Sequence, residues 1–183
     1  MNALFKNTLK LYAAGIVAVG ALLAHAPAHA GGALDDETIY AIFDQANMAD
    51  ISTGRLGWKK AAAPEVKALA KMVVTDHTAV QQMGRELAQS LSFIGTPPDG
   101  DSSLVDQAQT LAKLDSLSGP EFDRAYLLHE IAFHQAVIDA VKGTLLPSIK
   151  NPQFKNLVTN VLPGFEHHLA ATKDVARKLN IAP

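Results

Sequence analysis

The 183-residue sequence contains no cysteine. That excludes disulfides, and it excludes a lipid anchor carried on a cysteine that follows an export signal. After residue 23 the chain has no apolar run of the roughly 20 residues a membrane span needs. Serial ten-residue segments of alternating hydrophobicity are also missing, which argues against a membrane barrel. There is no Gly-x-Ser-x-Gly and no glycine-rich phosphate loop, so nucleophilic and phosphoryl-transfer chemistry have no recognisable signature. An excess of basic charge is lacking too: 16 Lys and Arg face 18 Asp and Glu. Nucleic-acid binding, which favours basic patches, is not expected.

The N-terminus carries what the rest lacks. Lys6 and Lys10 precede the apolar stretch Leu11 to Leu23, and Ala28-His29-Ala30 follows it. A basic segment, a short apolar segment and an A-x-A site make a secretory signal peptide. Residues 1–30 are therefore expected to be cleaved and the product to reside in the periplasm. Removing Lys6 and Lys10 leaves 14 basic against 18 acidic residues, a net charge of −4. The remaining chain suits one domain, 36–180, after a Gly-rich leader, 31–35.

Four long helical patterns follow, without strand-like alternation. The first spans about Asp36 to Ala61, and the second about Pro64 to Leu91, with Pro64 in its first turn. Gly95-Thr96-Pro97-Pro98-Asp99-Gly100 breaks the chain. A short helix over about 102–115 fits the connection. The third long helix opens at Ser118, with Glu121 as a capping-box partner, and ends before Pro147. The fourth starts at Pro152, capped by Asn151, and reaches about Leu179. The fold class is all-α: a four-helix bundle with a short extra helix in the second connection. That connection allows the third helix to run parallel to the second, or simply packs on the bundle end.

Each long helix after the first has a stripe spaced alternately by four and three, the buried face of a bundle helix. Each stripe is apolar apart from one histidine. His77 interrupts Val66, Ala70, Val73 and Val80; His134 interrupts Leu127, Ile131, Ile138 and Val141; His168 interrupts Val158, Val161, Phe165 and Val175. The three lie 13, 16 and 16 residues from Pro64, Ser118 and Pro152, so they can share one layer. On the first helix Asp50 extends the stripe Ile39, Phe43, Ala46, 14 residues after Asp36. Three imidazoles and a carboxylate suit one transition-metal ion, with Zn or Cu favoured on geometry. A single site requires imidazoles no more than about 8 Å apart, because Zn–N bonds are about 2.0–2.1 Å. Burying these groups without a shared purpose costs several kcal/mol unless each finds a partner. Glu130, one turn before His134, and Asp76, beside His77, are candidate orienting carboxylates. For Asp76 and Glu166 a solvated position on the helix flank is the simpler expectation. His167 should be exposed and His129 half-buried, both outside the site. Trp58 and Tyr126 read as packing residues, and Gly54 and Gly57 as a close helix approach.

Three motifs carry a resemblance: Met72-Val73-Val74-Thr75-Asp76-His77-Thr78; Ser118 to Tyr126 with His134 eight residues on; and Leu162-Pro163 followed by His168-Leu169. In this order the chain resembles the domain-of-unknown-function 4142 family over about residues 36–180. The family comprises exported bacterial ferritin-like four-helix bundles, often labelled predicted outer-membrane proteins. The resemblance implies histidines at His77, His134 and His168 and an acid at Asp50, commonly Glu in the family. Family members often have Asp immediately before the third-helix histidine, where this chain has Phe133. No activity comes with the resemblance.

The functional expectation is a periplasmic bundle that binds one transition metal for storage, buffering or stress protection. The alternative is a metal-free structural or interaction protein whose histidine layer is a pH-sensitive polar network. A ferritin-like oxidoreductase with two metals is a third reading. Such sites need about four carboxylates and Glu-x-x-His pairs. Here Val74, Ile131 and Phe165 stand three residues before the histidines. A binding protein is therefore expected before an enzyme.

Overall fold

The computed structural model describes residues 34–182. The expected signal peptide lies outside them, as does the leader apart from Leu34 and Asp35. Every regular element among the described residues is helical: α1 (Asp36–Lys60), α2 (Pro64–Leu91), α3 (Ser103–Asp115), α4 (Gly119–Ala140) and α5 (Pro152–Lys178). No described helix is long and apolar enough to cross a membrane.

The helix ends follow local chemistry. Asp35 caps α1 by accepting the Thr38 N–H at 2.8 Å. Asn151 caps α5 through the N–H groups of Gln153 and Phe154. Both satisfy amides that have no partner inside a first turn. The expected capping box at Ser118 does not form; its side chain makes no cap bond. Gly119 takes a left-handed turn, φ 58°, and Pro120 sits in the first turn instead. Pro147 does not end the third long helix either. After Ala140 the chain makes a π-turn, Val141–Leu145, then one further turn, Leu146–Ser148. The wider turn resets the hydrogen-bond register, so Pro147 falls at a helix start, where its missing N–H costs little.

Two carboxylates show how the helices are ordered. Asp36, at the start of α1, accepts the backbone N–H groups of Lys150 and Asn151, just before α5. Asp123, near the start of α4, accepts those of Ala62 and Ala63, just before α2. Thus α1 and α5 start at one end of the bundle, and α2 and α4 at the other. The directions are up, down, down, up, with α2 parallel to α4. α3 climbs back along the outside of α1. Gln45 bonds Asp101 at 3.0 Å, Gln107 bonds the Ala49 carbonyl at 2.9 Å, and Lys60 bonds Asp115 at 2.9 Å. The second connection is therefore a long crossover, as in ferritin-like bundles.

The four stripes meet as the spacing demands, and Val66, Ala70, Val73, Phe122, Tyr126, Leu127, Phe154 and Val158 are buried at their centre. A Cβ on Gly57 would lie 2.8 Å from the Tyr126 ring, so only glycine allows α1 and α4 this close there. Trp58 departs from its expected packing role. It is 46% exposed, with Lys71 over its ring. It sits off the buried face that Gly54 and Gly57 define, and the cation and wide ring face can be served at the surface.

Candidate metal centre

α1, α2, α4 and α5 each send one polar side chain to the same depth of the core. Asp50, His77, His134 and His168 are between 1% and 4% exposed. The imidazole centroids are 5.0, 5.4 and 5.7 Å apart, inside the limit for one site. One ring nitrogen of each lies within 4.8 Å of the others. Asp50 Oδ2 is 2.8 Å from His77 Nε2 and 3.2 Å from His134 Nε2. His77 Nε2 is 3.1 Å from His168 Nδ1. Two ligands on a tetrahedral zinc ion would be about 3.3 Å apart, given bonds near 2.05 Å.

Each imidazole has its other nitrogen engaged. His77 Nδ1 lies 2.9 Å from Asn47 Oδ1, and Asn47 turns that oxygen inward because its Nδ2 donates to the Phe43 carbonyl at 2.8 Å. His77 therefore donates from Nδ1. His134 donates from Nδ1 to the Glu130 carbonyl at 3.0 Å, the usual reach back along a helix. His168 donates from Nε2 to Asp76 Oδ2 at 3.0 Å. The tautomers are assigned by these partners. In a neutral imidazole the second nitrogen is then a bare lone pair. The inward-facing atoms are consequently all acceptors: His77 Nε2, His134 Nε2, His168 Nδ1 and Asp50 Oδ2. His77 is further held by stacking on Phe165, 5.2 Å between centroids and 7° between planes.

The charges fit that arrangement. Burial on its own would raise the Asp50 pKa, but His77 and His134 outweigh it and hold Asp50 below the usual carboxylate range. Burial lowers the His134 pKa, against a smaller opposing pull from Asp50. It also lowers that of His168, partly offset by the bond to Asp76. Glu130 is raised well above its ordinary value, first by burial and then by the Asp50 charge. Glu130 therefore keeps its proton. A fully buried carboxylate faces three imidazoles, and burial makes two of them, His134 and His168, resist protonation. Neither Asp50 oxygen nor His134 Nε2 has a hydrogen-bond partner among the described residues. An uncompensated buried charge of this kind costs several kcal/mol.

All four residues expected as ligands are together. The Asp76 side chain is 51% exposed yet orients His168, so its solvated position and its contact with the site coexist. Glu130 is closer to Asp50 in role than to His134. Its backbone carbonyl orients His134, while its carboxylate is 3.7 Å from Nδ1. Glu166 stays outside, paired with Lys142 at the surface. His167 is exposed and His129 half-buried. Sequence reasoning missed Asn47. Its signal was present, because Ile39, Phe43, Asn47 and Asp50 also make a buried stripe, spaced four, four, three. Drawing that stripe through Ala46 hid the amide.

The chain belongs to the family described as domain of unknown function 4142 (DUF4142), whose model matches residues 21–175. No curated protein and no solved structure matches it.

Proposed function

We propose that this DUF4142 member is a periplasmic metal-binding protein that holds one Zn or Cu ion between Asp50, His77, His134 and His168. One observation carries the reading. The lone pairs of His77 Nε2 and His168 Nδ1 face each other at 3.1 Å beside a buried, donor-free Asp50. Four converging acceptors repel unless a cation lies among them. Histidines whose far nitrogens are held by Asn47, a backbone carbonyl and Asp76 match the way proteins prepare imidazoles for a metal. Three nitrogens and one oxygen suit Zn or Cu. With every ligand buried, release requires the bundle to open, which favours storage or buffering over rapid exchange. The two buried carboxylates beside the histidines, Asp50 and Glu130, fall short of the four that a di-iron bundle uses.

The test is metal analysis of mature protein purified without a histidine tag, before and after reconstitution. About one Zn or Cu per chain, lost in His77→Ala and in His134→Ala, is the expected result. Absence of metal after reconstitution, with unchanged thermal stability, sinks it.

The second reading, a metal-free polar network, draws on the 3.1 Å approach of His77 Nε2 and His168 Nδ1, which is a hydrogen bond once either nitrogen carries a proton. There a proton rather than a metal ion joins the facing nitrogens. It predicts a melting temperature that depends on pH and not on added metal.

A further inference from the structure

A cavity of about 40 Å³ opens beside the histidine layer, walled by residues from α1, α2, α4 and α5 and by the π-turn. Two of the proposed ligands, His77 and His134, form part of its wall; Asp50 and His168 do not. The rest of the wall is Asn47 and apolar side chains, among them Phe43, Phe133, Val141 and Val158.

Its volume would accommodate a water molecule, but a buried water needs two to four polar partners. The wall does not offer them. Asn47 Nδ2 is engaged with the Phe43 carbonyl, and its oxygen with His77 Nδ1. His134 Nδ1 is engaged with the Glu130 carbonyl, the inner nitrogens of His77 and His134 point to Asp50, which is not part of the wall, and the surface the wall presents to the cavity is almost wholly apolar. Apolar cavities without such partners stay dry and take apolar guests; one of about 150 Å³ holds benzene or xenon. A space about a quarter as large excludes organic cofactors and admits two or three heavy atoms.

We infer that this cavity docks one small apolar molecule of dioxygen size against the His77–His134 side of the centre. The inference rests on the metal reading for what the guest lies next to, but the cavity itself does not depend on a metal. The π-turn contributes both its first and last residues, Val141 and Leu145, to the wall. Because a π-turn is wider than an α-turn, it leaves room there that a regular helix would fill.

The experiment is xenon-129 NMR on the untagged protein, metal-free and loaded with Co²⁺. Saturable xenon binding is expected in both forms. In the Co²⁺ form the bound xenon should relax much faster, because the paramagnetic ion lies beside it. Val141→Leu adds a methylene to the cavity and should weaken xenon binding at least about tenfold, given how little space remains. Val158→Ile adds the same group from α5 and serves if the first variant does not fold. Absence of saturable binding in wild-type protein overturns the inference, as does binding indifferent to both variants. Xenon and Co²⁺ both bound, without enhanced relaxation, also overturn it, since the pocket is then elsewhere. If Co²⁺ fails to bind while xenon binding responds to Val141→Leu, the metal reading falls and the cavity stands.

Discussion

Asp123 and Asp50 are both buried carboxylates, 4% and 1% exposed, on α4 and α1 of the same bundle. Asp123 receives the Ala62 and Ala63 N–H groups at 2.9 and 2.7 Å. Asp50 receives no protein hydrogen bond at either oxygen and faces imidazole lone pairs. Buried charge is tolerated when fixed dipoles replace water, and it is costly when they do not. Asp123 is thus a structural clamp that holds the first hairpin turn, and Asp50 is a buried carboxylate without donors. The same residue type at the same burial reads differently because of its donors.

The largest effect that tests this contrast comes from Asp123→Ala. Losing two charge-assisted bonds and stranding two amides should destabilise the fold by about 3 kcal/mol. Urea unfolding should show that loss equally with and without metal, and metal stoichiometry should not change. A drop in metal uptake would break the contrast. Next, Asp50→Asn should stabilise the metal-free protein by about 2 kcal/mol, since it removes an uncompensated charge and offers N–H donors to His77 and His134. The same variant should lose the thermal stabilisation that metal gives the wild type. Loss of stability in the metal-free state would mean that Asp50 already has a compensating proton. Smaller again, Asn47→Ala and Asp76→Ala should each weaken metal affinity about 10- to 100-fold in competition titrations, while Glu166→Ala should not.

The smallest expected effect concerns pH. Desolvation by burial pushes His129 down to about 4. The unfolded chain takes up that proton near pH 6.5, whereas the folded protein resists until about 4. His129 therefore costs stability as pH falls from about 6.5 towards 4. Replacing it by Gln should flatten that limb by about 1 kcal/mol in urea unfolding between pH 7 and 4.5. Glu130 works in the opposite sense. Its raised pKa keeps a proton that the unfolded chain releases near 4.5, so its contribution declines as pH rises above that value. Glu130→Gln should make stability climb more steeply with pH.

Much of this was legible in the residues. The four-three stripes placed His77, His134 and His168 on buried faces, because a helix repeats its face at that period whatever surrounds it. Their matched distance from the helix starts put them in one layer, since rise per residue is constant. Pro64, Asn151 and Pro152 marked helix starts for local reasons. The π-turn at Val141 was not legible, nor was the passage of the chain through Pro147, because both depend on how α4 packs as it turns towards α5. Asn47 was hidden by a competing stripe through Ala46.

By itself, then, the sequence determined that the chain is helical, where its long helices lie and which polar side chains they bury. Those properties follow from period, caps and composition, which act over a few residues. Only the tertiary structure decided that α2 and α4 run parallel, because Asp36 and Asp123 reach across the bundle to amides 114 and 60 residues away. Only it decided which nitrogen of each histidine faces inward. That choice depends on an amide, a carbonyl and a half-exposed carboxylate, each held in place by how the helices pack.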